Sequence, residues 1–211
     1  MSKAPAARAE MRVMATFAFS GPWHAYLLWN VLAFFCACLI NSFIEWFAHR
    51  YVLHGTRFGR FAYELHHVGH HGMFGADETY HAQNDFMRSH VTFVLRDYVL
   101  FLLVTTPLWI GVELLTRRPL LAGGVIATLT GLQMFNSFHW RFHVPSDTWF
   151  QRSWFFRVLK EQHRRHHADM NSNFNVYFFP IADWVLGTLK KEAPAQPARP
   201  AEPQEAVLPR K

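Results

Sequence analysis

The chain has 211 residues, the size of one domain, and 51% of them are hydrophobic and 17% aromatic beneath a formal net charge of +6. A basic balance alone would suit nucleic acid, but a nucleic-acid binder has no need of 21 Phe and 8 Trp set in long charge-free runs. Nucleic acid is therefore excluded as a partner, and a membrane surface fits the charge better.

In chain order, residues 1–20 open with MSKAPAARAEMR, too poor in apolar side chains to pack, and are expected to be disordered. A membrane domain is expected over residues 21–190. Residues 25–44 carry no charge, and a helix of that length, at about 1.5 Å per residue, spans roughly the 30 Å hydrocarbon core. The run is too long for the apolar stretch of a cleavable signal and leads straight into EWFAHRYVLHG. Cys36 and Cys38 fall on nearly opposite faces of this helix, so they cannot pair with each other and read as small apolar packing groups. A shorter uncharged run, 98–112, extends back over 91–95 if Arg96 and Asp97 pair or sit at the interface. A third run covers 119–138, and Thr116, Arg117 and Arg118 ahead of it read as the tip of a helical hairpin. A buried core helix is the alternative for each run. Residues 191–211, rich in Ala, Pro and charge, are expected to be a disordered tail.

The basic residues orient this arrangement. One span followed by a hairpin leaves Lys3, Arg8, Arg12, Arg117 and Arg118 on one side and the other sixteen of 21 on the opposite side, which the positive-inside rule makes cytoplasmic. That side also holds every histidine except His24. The expected fold is therefore all-α: an integral membrane helical bundle with about three to four membrane-embedded helices and a cytoplasmic helical cap.

Ten of the 14 histidines fall into four groups, H-x4-H (His49, His54), H-x2-H-H (His67, His70, His71), H-x3-H (His139, His143) and H-x2-H-H (His163, His166, His167). His139 and His143 lie about 40° apart on one helix face, the usual way a helix offers two imidazoles to one ion. Each H-x2-H-H group adds a neighbour about 100° round, too far for one ion but available to a second close by. His49 and His54 are about 140° apart on a regular helix, so they either straddle two ions or lie where the helix breaks at His54-Gly55. Ten nitrogens suit a dinuclear site, with water or oxygen completing the shells. Imidazole accepts Zn, Cu, Fe and Ni alike, so the ligands alone do not choose the metal.

These boxes, in this order and spacing, resemble those of the fatty acid hydroxylase and sterol desaturase superfamily of membrane non-haem di-iron enzymes. The resemblance runs from Glu45 to Leu189 and includes the closing stretch ADWVLGTL; EWFAHRYVLHG is also similar to the first box of bacterial carotenoid ring hydroxylases. It implies that His49, His54, His67, His70, His71, His139, His143, His163, His166 and His167 are the iron ligands and the catalytic set. His66 would fit a looser H-x3-H-H pattern, but His67 is preferred because it repeats the i, i+3, i+4 spacing of the last box. His81 and His90 are spare. Glu45, Asp147 and Asp169, each about one turn from a ligand, are candidate carboxylates to orient the imidazoles.

The implied reaction is dioxygen-dependent hydroxylation of an unactivated C–H bond by two Fe ions, with Zn able to substitute. The expected substrate is a fatty acyl chain. A carotenoid ring hydroxylase or sterol desaturase is the rival enzyme, and a non-catalytic metal-binding membrane protein is the alternative of another class. No nucleotide-binding glycine motif is present and the tails leave no room for a fused cytochrome b5 domain, so electrons are expected from a separate ferredoxin, cytochrome b5-like protein or reductase. Arg164 and Arg165, between ligands, suit lipid phosphate or an acidic electron carrier. Trp46, Phe47, Trp140, Phe142, Trp149, Trp154, Phe155 and Phe156 either roof an apolar tunnel or anchor the chain at the interface.

Overall fold

A computed structural model describes residues 21–176 and 179–191, and every regular element among them is helical. The expectations of disorder for 1–20 and for 191–211 fall, apart from Lys191, outside the described residues.

Helix α1, Trp23–Phe47, follows Pro22 and has no acidic residue in its first turn or basic residue in its last. It runs without a break into a π-helical turn, Ala48–Leu53. Its large side chains, among them Leu28, Phe35 and Leu39, point outward, whereas Ala33 and Ala37 are buried. Cys36 is exposed, Cys38 is buried and both are free thiols. After Gly59 (φ 126°) the short α2, Arg60–Tyr63, continues through a second π-helical stretch, Glu64–His70, into α3, His71–Met73. Two 3₁₀ turns, Glu78–Tyr80 and Asp85–His90, lead to α4, Leu95–Thr116. Arg117 takes the left-handed conformation (φ 55°) that ends α4, and α5, Leu121–Phe142, returns beside it. The hairpin tip thus lies where the sequence places it. Glu113 spans the turn, its Oε2 accepting from the N–H groups of both Leu120 and Leu121 at 2.8 Å. Helices α6, Trp154–Ala168, and α7, Ile181–Val185, complete the fold.

Among the described residues, Trp23–Leu53 and Asp85–Thr116 are long and apolar enough to cross a membrane. Only 28% and 11% of their most apolar windows are buried, so these are not core helices of a water-soluble protein. Their apolar side chains would face water, whereas lipid satisfies them. The third expected span, 119–138, is helical but does not join this pair. Gly123, Gly124, Thr128, Gly131, Gln133, Asn136 and Ser137 make α5 less apolar, because it is the central helix and packs against both α1 and α4.

Small residues permit that packing. A Cβ on Gly123 would come within 2.0 Å of the Asn30 carbonyl of α1, and one on Gly124 within 2.2 Å of the Trp109 ring of α4. Asn30 Oδ1 also accepts from Gly123 N–H at 2.7 Å, satisfying a donor that the start of a helix leaves orphaned. The two largest of four apolar clusters among the described residues are Ala33, Ala37, Trp109 and Ala127 at the hairpin end, and Phe135, Phe138, Phe142, Phe156 and Leu159 behind the histidines.

Candidate metal centre

The end of α1, the second π-helical stretch, the end of α5 and the end of α6 deliver their imidazoles to one place. They form two adjoining sets, His49, His54, His66, His71 and His166 in one, His70, His139, His143, His163 and His167 in the other. In each set five ligand nitrogens lie within 4.8 Å of one another. The sets abut: the His71 and His167 rings are 4.3 Å apart, and those of His66 and His70 stack at 4.9 Å. Chain neighbours are divided between them, His70 from His71 and His166 from His167.

The π-helical turns explain which histidines meet. Bonds from residue i to i+5 widen the helix, so that positions four and five apart share a face. His54 N–H donates to the His49 carbonyl at 3.1 Å, closing such a turn and bringing the H-x4-H pair together without a helix break between its members. In the second stretch the same geometry groups His66 with His70 and His71. This differs from the expected assignment of His67, which rests on a regular 3.6-residue period. His67 is half-buried, stacks on the Tyr63 ring at 4.7 Å and places its Nδ1 2.8 Å from His54 Nδ1, outside both sets. His81 and His90 also belong to neither set.

Backbone carbonyls orient several of the rings. His166 Nδ1 donates to Ser172 O at 2.8 Å, His143 Nδ1 to Tyr80 O at 2.8 Å and His167 Nδ1 to Phe74 O at 2.6 Å; His49 Nδ1 donates to Phe174 O. Each fixes the tautomer and turns a bare Nε2 inward. The inward nitrogens crowd: His49 and His66 Nε2 are 3.0 Å apart, as are His54 and His166, while His70 approaches His167 at 3.1 Å and His143 approaches His163 at 3.1 Å. Both nitrogens of buried His71 have no hydrogen-bond partner among the described residues. Converging lone pairs repel one another, and a shared cation is the group that relieves them. The donor set therefore fits two metal ions, and five imidazoles exceed the four ligands of a closed tetrahedral zinc site.

Burial keeps these imidazoles in their metal-binding neutral form. It pushes His143 down to about 3 and His166 to about 4, against the opposing pull of their carbonyl partners. His163 and His167 are held well below the usual imidazole range, first by burial and then by neighbouring rings.

The candidate carboxylates do other work. Asp147 is exposed and faces Arg152 at 3.7 Å; Asp169 pairs with Lys190 at 2.5 Å beyond the end of α6. Glu45 is buried and accepts from Val176 N–H at 2.8 Å and Asn175 Nδ2 at 2.9 Å. It thus secures the segment whose Phe174 carbonyl holds His49. Asp183, unnoticed as a single residue in ADWVLGTL, clamps the same segment by accepting from the N–H groups of Phe174 (3.0 Å) and Asn175 (2.7 Å) and from Thr188 Oγ1 (2.6 Å). Thr188 Oγ1 in turn accepts from Trp46 Nε1 at 2.8 Å. Residues 172–176 are therefore fixed from α1 and from α7, and they position His49 and His166.

Arg164 and Arg165 share Glu161, at 2.9 and 3.1 Å, so their charge is already partnered within α6. Trp149 and Trp154 are exposed, whereas Phe142 and Phe156 pack behind the histidines. An apolar cavity of about 220 Å³ reaches His49 between α1, α4 and α5, walled by Leu100, Phe101, Leu132 and Phe135, none of them in a histidine box.

The Fatty acid hydroxylase family model matches residues 34–188. Neither the curated proteins nor the solved structures gave a match. The match covers well over half of the 211 residues and takes in all four histidine groups, from His49 to His167. The chain therefore belongs to the fatty acid hydroxylase family, with two histidine clusters able to hold metal and two helices long and apolar enough to cross a membrane among the described residues.

Proposed function

We propose that the protein is a membrane-bound di-iron oxygenase that hydroxylates an unactivated C–H bond of a lipid, a fatty acyl chain in the first instance, with dioxygen and two electrons from a separate donor protein. One observation carries the reading: ten imidazoles in two abutting sets, one of which opens through His49 onto an apolar cavity. Iron held by these sets would supply, when bound, the reduction of dioxygen and the oxidation of the C–H bond. His49, His54, His66, His71 and His166 would hold one ion, and His70, His139, His143, His163 and His167 the other; zinc would occupy the same nitrogens.

The chain's own part is placement. Leu100, Phe101, Leu132 and Phe135 exclude water and lay an apolar chain against the His49 side of the centre. The carbonyls of Phe174, Ser172, Tyr80 and Phe74 keep the imidazole protons on Nδ1, away from the ions. We read α5 as a third membrane-embedded helix, screened by α1 and α4, and the histidine-bearing ends as a cytoplasmic cap, since most Lys and Arg fall on that side. A soluble ferredoxin, cytochrome b5-like protein or reductase would then reach the centre from the cytoplasm.

The test is iron-loaded protein in lipid nanodiscs, supplied with a chemical reductant and dioxygen, with lipids followed by mass spectrometry. Gain of one oxygen atom on a fatty acyl chain is the expected result. Oxidation confined to added carotenoid or sterol would move the reading to those substrates. Tight metal binding with no oxygen uptake would leave only a metal-binding membrane protein.

A further inference from the structure

The apolar cavity contains one polar group that the fold leaves unused. Asn41, two turns before His49 on α1, is 5% exposed, lines the cavity, and has no described hydrogen-bond partner for its Nδ2. The other polar side chains on the wall are engaged. Thr105 Oγ1 donates to Phe101 O at 2.8 Å, Thr128 Oγ1 donates to Gly124 O at 3.1 Å, Glu45 accepts from Asn175 and Val176, Asp97 accepts from Val94 N–H and the Arg96 guanidinium, and His49 belongs to the histidine centre and donates to Phe174 O. An amide N–H group buried in a membrane helix without a partner carries a desolvation cost, and a polar group kept at membrane depth points to a ligand.

We propose that Asn41 binds a hydroxyl group of the substrate, so that the enzyme acts on lipids that already bear an alcohol. The donor inventory selects a hydroxyl over a ketone or an ester. Asn41 Nδ2 needs an oxygen to accept from it, while Thr105 and Thr128 have spent their protons on backbone carbonyls and can only accept. A hydroxyl both accepts and donates, and so satisfies both kinds of wall group; a carbonyl or ether oxygen satisfies only the first. Eight residues separate Asn41 from His49, on the order of 12 Å along the helix axis. The bound hydroxyl therefore sets which carbon lies against the metal centre, at a fixed distance from the alcohol. A cavity of about 220 Å³ is below the usual size for a whole ligand, so it takes the alcohol-bearing end and leaves the rest in the bilayer.

This inference rests on reading the cavity as the substrate site of a lipid oxygenase, but its test needs no turnover. The full chain is released from nanodiscs doped with equal amounts of 1-hexadecanol and 1-methoxyhexadecane, and the retained lipid is identified by native mass spectrometry. The wild type is expected to retain the alcohol over the ether by roughly three- to tenfold, the worth of one hydrogen bond. Asn41→Leu, close in shape but without a donor, should lower the retention of both lipids by about the same factor, since both oxygens accept from Nδ2, and leave the melting temperature unchanged or higher. Equal retention by the wild type, retention of neither lipid, undiminished retention in Asn41→Leu, or failure of that variant to fold would each overturn the proposal, the last by showing that Asn41 is structural. A preference for alcohol without any oxygenation would sink the hydroxylase reading alone; oxygenation without the preference would sink this one alone.

Discussion

His66 and His67 are one position apart, and on a regular helix one position is about 100° of rotation. In the π-helical stretch that difference separates a nitrogen 3.0 Å from His49 Nε2 from a ring stacked on Tyr63 behind His54. His66→Ala is therefore expected to lose one of two bound ions, measured as metal per chain by elemental analysis. His67→Ala should keep both at saturating metal and weaken one by roughly 10- to 100-fold, the usual cost of removing a group that orients a ligand. The reverse ranking would return the ligand role to His67. Nine of the ten converging histidines belong to the four spaced groups of the sequence, because imidazoles offered from one helix face recur at helical spacings. The tenth does not, since an i, i+3, i+4 pattern presumes a period that this segment does not keep. The orienting groups left still less trace: every residue has a carbonyl, and nothing in NSNFNV marks Ser172 and Phe174 as the ones that hold His166 and His49.

At the level of elements, long uncharged runs gave α1 and α4 closely, and the Thr116–Arg118 tip fell where expected. Charge-free length did not reveal that α5 sits between the other two, because a screened helix is free to carry glycine, threonine and glutamine. Its close approach makes a sharp prediction. Gly124→Ala places a methyl group inside the Trp109 ring and should destabilise the protein by about 2 kcal/mol, read as a lower melting temperature in detergent. Trp109→Ala alone should also destabilise by leaving a cavity, yet in the double variant the two losses should fall well short of adding. Strict additivity would mean that α4 and α5 do not meet there.

For the molecule as a whole, the metal centre is a strongly polar core that is stable only in one protonation state. Histidines of the unfolded chain take up protons near pH 6.5, whereas His143 and His166 resist them down to about 3 and about 4. Below pH 6.5 the unfolded chain binds more protons, so stability falls as pH falls, by up to about 1.4 kcal/mol per pH unit for each such group. The melting temperature of metal-stripped protein should therefore drop steeply from pH 7 to pH 5. Reloading with ferrous iron or zinc at pH 7 should raise it, each ion stabilising the fold by roughly 3 kcal/mol at a hundredfold excess over its dissociation constant. A flat profile between pH 7 and 5 would mean that the imidazoles are not buried together.

Two properties of the chain are local enough for sequence alone to determine. A helix reaches the bilayer's thickness by uninterrupted apolar length, and it offers imidazoles to a metal by the spacing between them. The tertiary structure decided what depends on partners distant in the chain. The turns carrying His49 and His66 depart from the regular helical period, and residues 172–176 reach two ligands while held by Glu45 of α1 and Asp183 of α7. The cavity beside His49 exists only where α1, α4 and α5 converge. Spacing along a chain fixes which groups can share a face, but which faces meet is fixed by packing.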